Sequence, residues 1–480
     1  MNIVDPILFQ AAQQPKAAAI CAQDTGIGLI SYGRLAQMIY AICRQLGRFG
    51  LGPGKIAAVQ ISDPIFLAAV TLALARLGVA SVSRYDERIL DALRIDALIA
   101  DTYPPLAKVD QVILVDLSWI KPAGETEPPP VPPTKPDDLC RIILTSGTTG
   151  DPKAVAFTHR MVAARTASNH FVFGGGFPAC ARIYSDLPIS TAPGFWFFIH
   201  TLWRGGTFFL PGETFERTVS TFDEYKVQCV VASPAGLEVL LRNYEQYPSL
   251  QSEFDMIIAL GDVFSKALSD RIRARICSHV TCVYGSTETQ TTASGPAQVL
   301  AETPGAVGFV VPDVTVEIVS EAGDVLPRGV EGVLRIRSPN AVDHYMGDPQ
   351  ASAKVFRDGW YYPGDRGRLE TGNLLCLAGR SDTLLNLGGD KISPEAVERV
   401  VAACPGILET AAFSVPNDFG IGTLWVAVVA DLATTDETLR AHCAARLPAQ
   451  FAPMGFIRVA SLPRNLMGKI DRSVLHKLLK

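Results

Sequence analysis

Five short stretches hold the residues able to do chemistry. The first, residues 143–153, reads Ile-Leu-Thr-Ser-Gly-Thr-Thr-Gly-Asp-Pro-Lys, an apolar run entering a loop of glycines and hydroxyls with one lysine. Gly147 and Gly150 let backbone N–H groups come close to an anion, Thr145, Ser146, Thr148 and Thr149 add hydroxyl donors, and Lys153 adds a point charge: a composition suited to phosphate. It departs from the GxxxxGK[ST] loop, because Lys153 lies three residues beyond Gly150 and is followed by Ala154. The second stretch, residues 283–288 (Val-Tyr-Gly-Ser-Thr-Glu), offers Tyr284 for stacking on a base, Thr287 for a phosphate and Glu288 for Mg²⁺. The third, residues 359–365, sets Asp365 after a Pro-Gly turn, where a carboxylate can hold both hydroxyls of a ribose. The fourth runs from Gly-Arg-Ser-Asp at 379–382 through residues 388–395 to Glu398, a polar hinge ahead of a helix opened by Ser393 and Pro394. The fifth, residues 462–472, presents Lys469 behind Gly468. Taken singly, each has a plainer reading as a surface turn, a core tyrosine beside a capping glutamate, an aspartate in a turn or an exposed lysine.

The elements that must position these loops follow from the apolar spacing. Leu35, Met38, Ile39, Ile42 and Leu46 recur at helical intervals and predict a helix ending near Gly47. Residues 56–61, 80–82, 97–100 and 112–115 read as strands, with a helix over 64–77 closed by Gly78. Strands alternating with helices predict a parallel, doubly wound sheet. Prolines 122, 128, 129, 130, 132, 133 and 136 deny donors to helix or sheet and predict a stiff surface connector. Beyond residue 380 the pattern shortens to a helix over 394–403, strands over 411–415, 424–429 and 456–459, and a helix over 437–447, a small α+β unit.

Composition narrows the function classes. A chain of 480 residues predicts two or three domains, and 48% hydrophobic with 19% charged residues predicts that most of it folds. Lys plus Arg number 43 against 48 Asp plus Glu, a net charge of −5, which leaves no electrostatic footprint for nucleic acid or an anionic membrane. The most apolar run, residues 65–82, is interrupted by Arg76 and predicts no membrane span. Residues 1–14 lack a basic start and a cleavage site, so a cytoplasmic location is expected. The 10 cysteines form no CxxC pair or histidine-flanked cluster and are expected to be free thiols.

In this order and spacing the five stretches resemble the superfamily of adenylate-forming, AMP-binding enzymes: acyl-CoA and aryl-CoA synthetases, peptide-synthetase adenylation domains and luciferases. The resemblance covers nearly the whole chain and extends to Pro-Gly-Ala-Val-Gly at 304–308 and Gly-Val-Leu-Arg-Ile-Arg at 332–337. It implies an α/β fold class, with a large N-terminal domain of doubly wound mixed sheets over 1–379, a small mobile α+β domain over 383–480 and a hinge near 380–382. Carried over residue by residue, it implies that Thr145, Ser146, Gly147, Thr148, Thr149 and Gly150 close over the β- and γ-phosphates of ATP together with Lys153. Tyr284, followed by Gly285, would stack on adenine, with Gly261 and Asp262 lining the other side; Thr287 would bond the α-phosphate and Glu288 would ligate Mg²⁺. Asp365 and Arg380 would hold the ribose, and Lys469 would bridge the substrate carboxylate and the α-phosphate. A carboxylate attacking an α-phosphorus brings two anions together, which the implied catalytic groups Lys469, Lys153 and Thr287 would offset. The acyl adenylate would then meet the thiol of CoA or of a carrier protein's phosphopantetheine, the small domain turning about Asp382 and presenting Gly388 and Gly389 to the pantetheine path.

The chain departs from the family pattern at several positions. Ala154 replaces the usual glycine, Asn386 a common lysine, Val333 a common acid and Ser190 a common histidine, and Ser-Val-Ser-Arg at 81–84 replaces a proline-rich turn. Amino-acid-activating relatives place an aspartate four residues before the pocket tryptophan; counting back from Trp196 gives Ala192. An ammonium buried without a counter-charge costs several kcal/mol, so the expected substrate is an aryl or short-to-medium acyl acid without an α-amino group. Phe195, Trp196, Phe197 and Phe198 would wall its pocket, although an aromatic run on a helix also reads as core. The expected activity is an ATP-consuming acid–CoA ligase. A stand-alone adenylation enzyme that charges a carrier protein shares every motif, and a non-catalytic nucleotide-binding homologue is disfavoured by the presence of Lys469, Glu288 and Asp365.

Overall fold

The computed structural model describes the chain except residues 23–26, 85, 104–108, 122–126, 147–151, 173–179, 213, 248–249, 251–253, 263, 381–384, 388–389, 418–420, 432, 466–467 and 480. The helix predicted from the 3.6-residue spacing spans Tyr32–Gly47, capped by the Ser31 hydroxyl on the Arg34 N–H. It buries Leu35, Met38, Ile39, Ile42 and Leu46, each contributing roughly 1.5–3 kcal/mol of burial. Helix Pro64–Arg76 is apolar on every face and almost wholly buried, as a helix between sheets must be.

Two sheets meet around these helices. The smaller orders its strands Val112–Leu114, Ala97–Ala100, Ile56–Gln60, Ala80–Val82, Leu139–Ser146 and Pro152–Thr158. The first five run parallel. The sixth is antiparallel, with Thr145 opposite Lys153, so the sheet is mixed rather than parallel throughout. The reason is local: the Ser/Thr/Gly loop is short, and a short loop can join only antiparallel neighbours.

The larger sheet runs parallel from Ala18–Ala22 through Thr207–Phe209, Arg182–Ser185, Cys229–Ala232 and Met256–Leu260 to Val280–Ser286. Helices Pro234–Gln246 and Lys266–Arg275 make crossings between its strands, each opened by a serine cap. At Val280–Ser286 the direction reverses: Gln290–Pro296, Ala306–Val310, Leu374–Arg380 and Asp365–Leu369 follow as antiparallel strands.

Beyond residue 390, strands Ile407–Pro416, Gly422–Ala430 and Gly455–Arg458 form a separate three-stranded sheet, packed by helices Pro394–Ala402 and Asp436–Ala444. Its core, which includes Val397, Val401, Val426, Val428 and Leu439, is its own. All ten cysteines are free thiols, nine of them buried. Among the described residues no helix is long and apolar enough to cross a membrane.

Candidate active site

The sheet reversal places the second stretch. Leu260 pairs with Val283, so Gly261 and Asp262 leave their strand beside Tyr284 and Gly285. Gly261 has φ +101°, a conformation open to glycine at little cost. Gly285 is required for a different reason: a Cβ there would stand 2.0 Å from the Gln290 carbonyl oxygen, across the bulge that ends the strand.

Tyr284, Asp365 and Arg380 converge although they lie far apart in the chain. Strand Asp365–Leu369 pairs with Leu374–Arg380 so that Asp365 faces Arg380. The Tyr284 hydroxyl donates to Asp365 Oδ2, and Arg380 Nη1 stands 3.5 Å from Asp365 Oδ1. Burial, and then the Asp365 carboxylate, hold the Tyr284 phenol well above its usual range, so it stays a donor. Arg380 also donates to the Pro363 carbonyl at 3.1 Å, which ties it to the turn before Asp365.

Glu288 is buried, at 6% exposure, and its Oε1 accepts from the Tyr345 hydroxyl at 2.7 Å. The loop that carries it is held from beneath by Arg165, a fully buried side chain of helix His159–Val172. Its guanidinium donates to the carbonyls of Thr287 at 2.8 Å, Glu288 at 2.7 Å and Asn340 at 2.6 Å. It also lies 4.5 Å from the centre of the Phe157 ring and 5.3 Å from that of Trp196. Burial pushes the Arg165 guanidinium down to about 9, with Glu288 acting in the opposite direction. Trp196, Phe195 and Phe157 pack edge to face at 5.0–5.2 Å. The aromatic run is thus core, and it is also the floor of the Thr287–Glu288 loop. Ala192 opens the same helix, buried behind the Thr191 cap.

Thr145 and Lys153 face each other across the hairpin, and Lys153 Nζ lies 2.7 Å from Asp348 Oδ2. Hydrogen bonding from Lys153 holds the Asp348 carboxyl below its ordinary range. Ala154 is buried, and its carbonyl accepts from the Met346 N–H at 2.9 Å, so the methyl at this departure is accommodated. Gly147, Thr148, Thr149, Gly150, Asp382, Gly388 and Gly389 lie outside the described residues.

Lys469 is exposed, but its loop is anchored. Gly468, at φ +73°, comes so close to the turn before helix Pro234–Gln246 that a Cβ would stand 2.7 Å from Ser233 Oγ. Asp186 braces that turn: its Oδ1 accepts from the Ser233 N–H at 3.3 Å, and burial pushes its carboxyl up to about 7. Arg472, which bonds Glu398 at 2.8 Å, feels the charge of Asp262. The fifth stretch therefore lies at the carboxyl ends of the parallel strands, alongside the second.

For Mg²⁺ the donor set fits. Glu288 and Thr287 offer hard oxygens, and among the described residues no cluster of three metal-ligating side chains exists. Mg²⁺ is ordinarily held by one or two carboxylates together with the phosphates it accompanies.

Arg165, Tyr345 and Asp348 were not singled out from the sequence. Asp348 had a signal, an aspartate before Pro349 that caps helix Pro349–Val355. Arg165 and Tyr345 had none, because their partners are backbone carbonyls and a side chain more than fifty residues away.

The architecture is a parallel-to-antiparallel sheet carrying a Tyr–Asp–Arg cluster, with a separate C-terminal unit that bears a lysine. Residues 8–346 match the AMP-binding enzyme family and residues 396–469 match the AMP-binding enzyme C-terminal domain; the chain belongs to the AMP-binding enzyme family. It is 28% identical to the 4-chlorobenzoate–CoA ligase of Arthrobacter sp, over 98% of this chain and 94% of that one. It is 27% identical to the fatty acid–[acyl-carrier-protein] ligase MmaC of Mycobacterium marinum, over 99% and 97% of the two chains. Its fold matches o-succinylbenzoate CoA synthetase (MenE) of Bacillus subtilis in complex with ATP and magnesium ion, with TM-score 0.81, 21% identity and coverage of 98% and 99%.

Proposed function

We propose that the chain uses ATP to activate a carboxylic acid without an α-amino group, aryl or short-to-medium acyl, as acyl-AMP, and then transfers the acyl group to the thiol of CoA. The observation that carries this is the convergence of Tyr284, Asp365 and Arg380 at the sheet reversal, with the Lys469 loop seated on the same edge. Units 1–379 and 383–480, joined near 380–382, are the division that supports it, with Asp382 as the pivot and Gly388 and Gly389 on the thiol side. The 4-chlorobenzoate–CoA ligase relative supports CoA as acceptor, and the MmaC relative makes a carrier-protein pantetheine the other outcome to test.

In this reaction a substrate carboxylate oxygen bonds the α-phosphorus as the bond to the departing pyrophosphate breaks. Asp365 and Arg380 hold the ribose, Tyr284 with Gly261, Asp262 and Gly285 holds adenine, and Thr145 to Gly150 wrap the phosphates. Lys153, now on Asp348, would turn to the triphosphate. Lys469 and Thr287 donate where negative charge gathers on the α-phosphate, the place where a fixed donor lowers the barrier most. Mg²⁺, held by Glu288, would cover the charge of the leaving pyrophosphate. In the second half the thiol sulfur bonds the acyl carbon, AMP leaves, and the thiol proton passes to solvent.

Ala192, at the head of helix Ala192–Trp203, carries no charge, and Phe195 and Trp196 are buried on the same helix. Desolvating an unpaired ammonium costs several kcal/mol, which corresponds to discrimination of at least about a hundredfold. The test is pyrophosphate release with benzoate, hexanoate, phenylalanine and leucine, each with and without CoA. Release with the first two and thioester only with CoA is expected; faster turnover of any free amino acid overturns the substrate class.

A further inference from the structure

One group of charges lies outside the chemistry described so far and joins helix Pro234–Gln246 to the C-terminal unit. Helix Pro234–Gln246 presents Glu238 and Arg242 one turn apart, with Arg242 Nη2 2.5 Å from Glu238 Oε1. Glu409, on the C-terminal strand Ile407–Pro416, stands 3.8 Å from Arg242 Nη2 through one oxygen. Its other oxygen accepts from Arg464 Nη2 at 2.5 Å. Arg464 in turn donates through Nη1 to the carbonyl of Gly468 at 2.8 Å, the residue before Lys469. The loop is closed on itself by Asn465, whose N–H donates to the Lys469 carbonyl at 2.9 Å and whose Oδ1 accepts from the Lys469 N–H at 3.1 Å.

We propose that Glu409 is a positioning residue for Lys469: bound at once to Arg464 of the lysine loop and to the Glu238–Arg242 pair of the large unit, it latches Gly468 onto Ser233 and sets where the ammonium points. The surroundings give it leverage. The Glu409 side chain is only 12% exposed and that of Glu238 16%, so charge interactions here are screened far less than at an open surface. A second carboxyl in contact disfavours the ionised form of the first. Burial, and then the hydrogen bond with Glu238, push the Glu409 carboxyl up to about 7, against the pull of Arg464. Of the other elements packed on its strand, Gly422–Ala430 carries no charged residue, and helix Pro394–Ala402 presents Glu395 and Glu398, both facing Arg472. Segment Arg472–Leu479 adds His476 and Lys477, both exposed.

Burial and the neighbouring Glu238 raise the Glu409 carboxyl to about 7 in the seated loop, so whatever part of that shift depends on seating makes seating weaken as pH rises through about 7.

This latch rests on the activity proposed above, through Lys469, and the experiment keeps the two apart. The full chain, Glu409→Ala and Glu409→Gln are compared from about pH 6 to about 8.5 by acid-dependent pyrophosphate release, by thioester formation from supplied acyl-AMP, and by hydrogen–deuterium exchange of the 462–472 peptide. Glu409→Ala is expected to slow pyrophosphate release about tenfold, the loss of one charge-assisted hydrogen bond, to spare the thioester step, and to raise exchange in 462–472. Glu409→Gln keeps an acceptor for Arg464 and a donor for Glu238 at every pH, so it is expected to rescue the rate and to flatten the decline of the native chain above about pH 7. Equal loss in both half-reactions, an unchanged pH profile in Glu409→Gln, or unaltered exchange in Glu409→Ala overturns the latch. A native chain that releases pyrophosphate with no acid overturns the activity instead, and the exchange comparison still decides the latch.

Discussion

The nucleotide end and the lysine end of this site are held by different forces. Tyr284 and Asp365 lie on strands of one sheet and Glu288 in a turn of the same sheet; Glu288 and Asp365 are less than a tenth exposed, and the Thr287–Glu288 turn is tied to a fully buried arginine through two backbone carbonyls. Lys469 sits on an exposed loop fixed by one glycine contact and by half-buried charged side chains. Sheet register and buried hydrogen bonds vary little with conditions, whereas charge pairs near a surface respond to pH and salt. The first arrangement suits groups that must keep one geometry; the second lets the attachment of a group be tuned.

The largest effect should come from the buried side of this comparison. Arg165→Leu leaves the carbonyls of Thr287, Glu288 and Asn340 without their donor, at about 1–3 kcal/mol for each buried group left unpaired. A loss of roughly 3–5 kcal/mol in urea unfolding is expected, and a variant as stable as the native chain would show that the carbonyls find water instead. Next, Asp365→Asn removes the charge that Tyr284 and Arg380 share. The KM for ATP should rise about 10–100-fold, the range for a hydrogen bond to a charged group, and an unchanged KM would place the ribose elsewhere.

Asp186, buried beneath the Ser233 turn on which the Lys469 loop sits, gives a pH test at the lysine end. Its folded value is raised to about 7 from 3.8, chiefly by burial. A raised carboxyl contributes stability that is complete below the unfolded value and is lost as pH climbs through the folded one, so the native chain should lose stability from about pH 4 to about pH 7. Asp186→Asn, which cannot ionise, should be more stable than the native chain at pH 8 by on the order of 1–3 kcal/mol and not at pH 4. Parallel stability curves for the two would contradict the assignment.

The smallest expected effect probes the lysine side. Gly468→Ala forces a side chain into a left-handed conformation against Ser233, a strain of about 1 kcal/mol. Pyrophosphate release should fall several-fold while the urea midpoint stays put; a shifted midpoint with a normal rate would mean that the contact serves folding only.

Much of this was legible in the sequence where interactions are local. The helix at Tyr32–Gly47, the Ser393 cap on Pro394–Ala402, the strands Ile56–Gln60, Ala80–Val82, Ala97–Ala100 and Val112–Leu114 and those of the C-terminal unit follow from residue spacing and capping chemistry. The antiparallel strand Pro152–Thr158 was missed because the alternation of strands and helices upstream predicts parallel pairing, while the short loop before it decides otherwise. The Tyr284–Asp365 contact spans 81 residues and Arg464–Glu409 spans 55. Pairings of that kind are set by how sheets meet, which no local period encodes. Arg165 was invisible for the same reason, since backbone carbonyls carry no residue type.

The most direct test of the whole account is Lys469→Ala, measured as two separate half-reactions. Pyrophosphate release with a turned-over acid should fall by roughly two to three powers of ten, the scale of one transition-state charge stabiliser, while thioester formation from supplied acyl-AMP stays near the native rate. Equal loss in both half-reactions, or no loss in the first, would contradict the role assigned to Lys469 and with it the division of the site into a fixed nucleotide end and a latched lysine end.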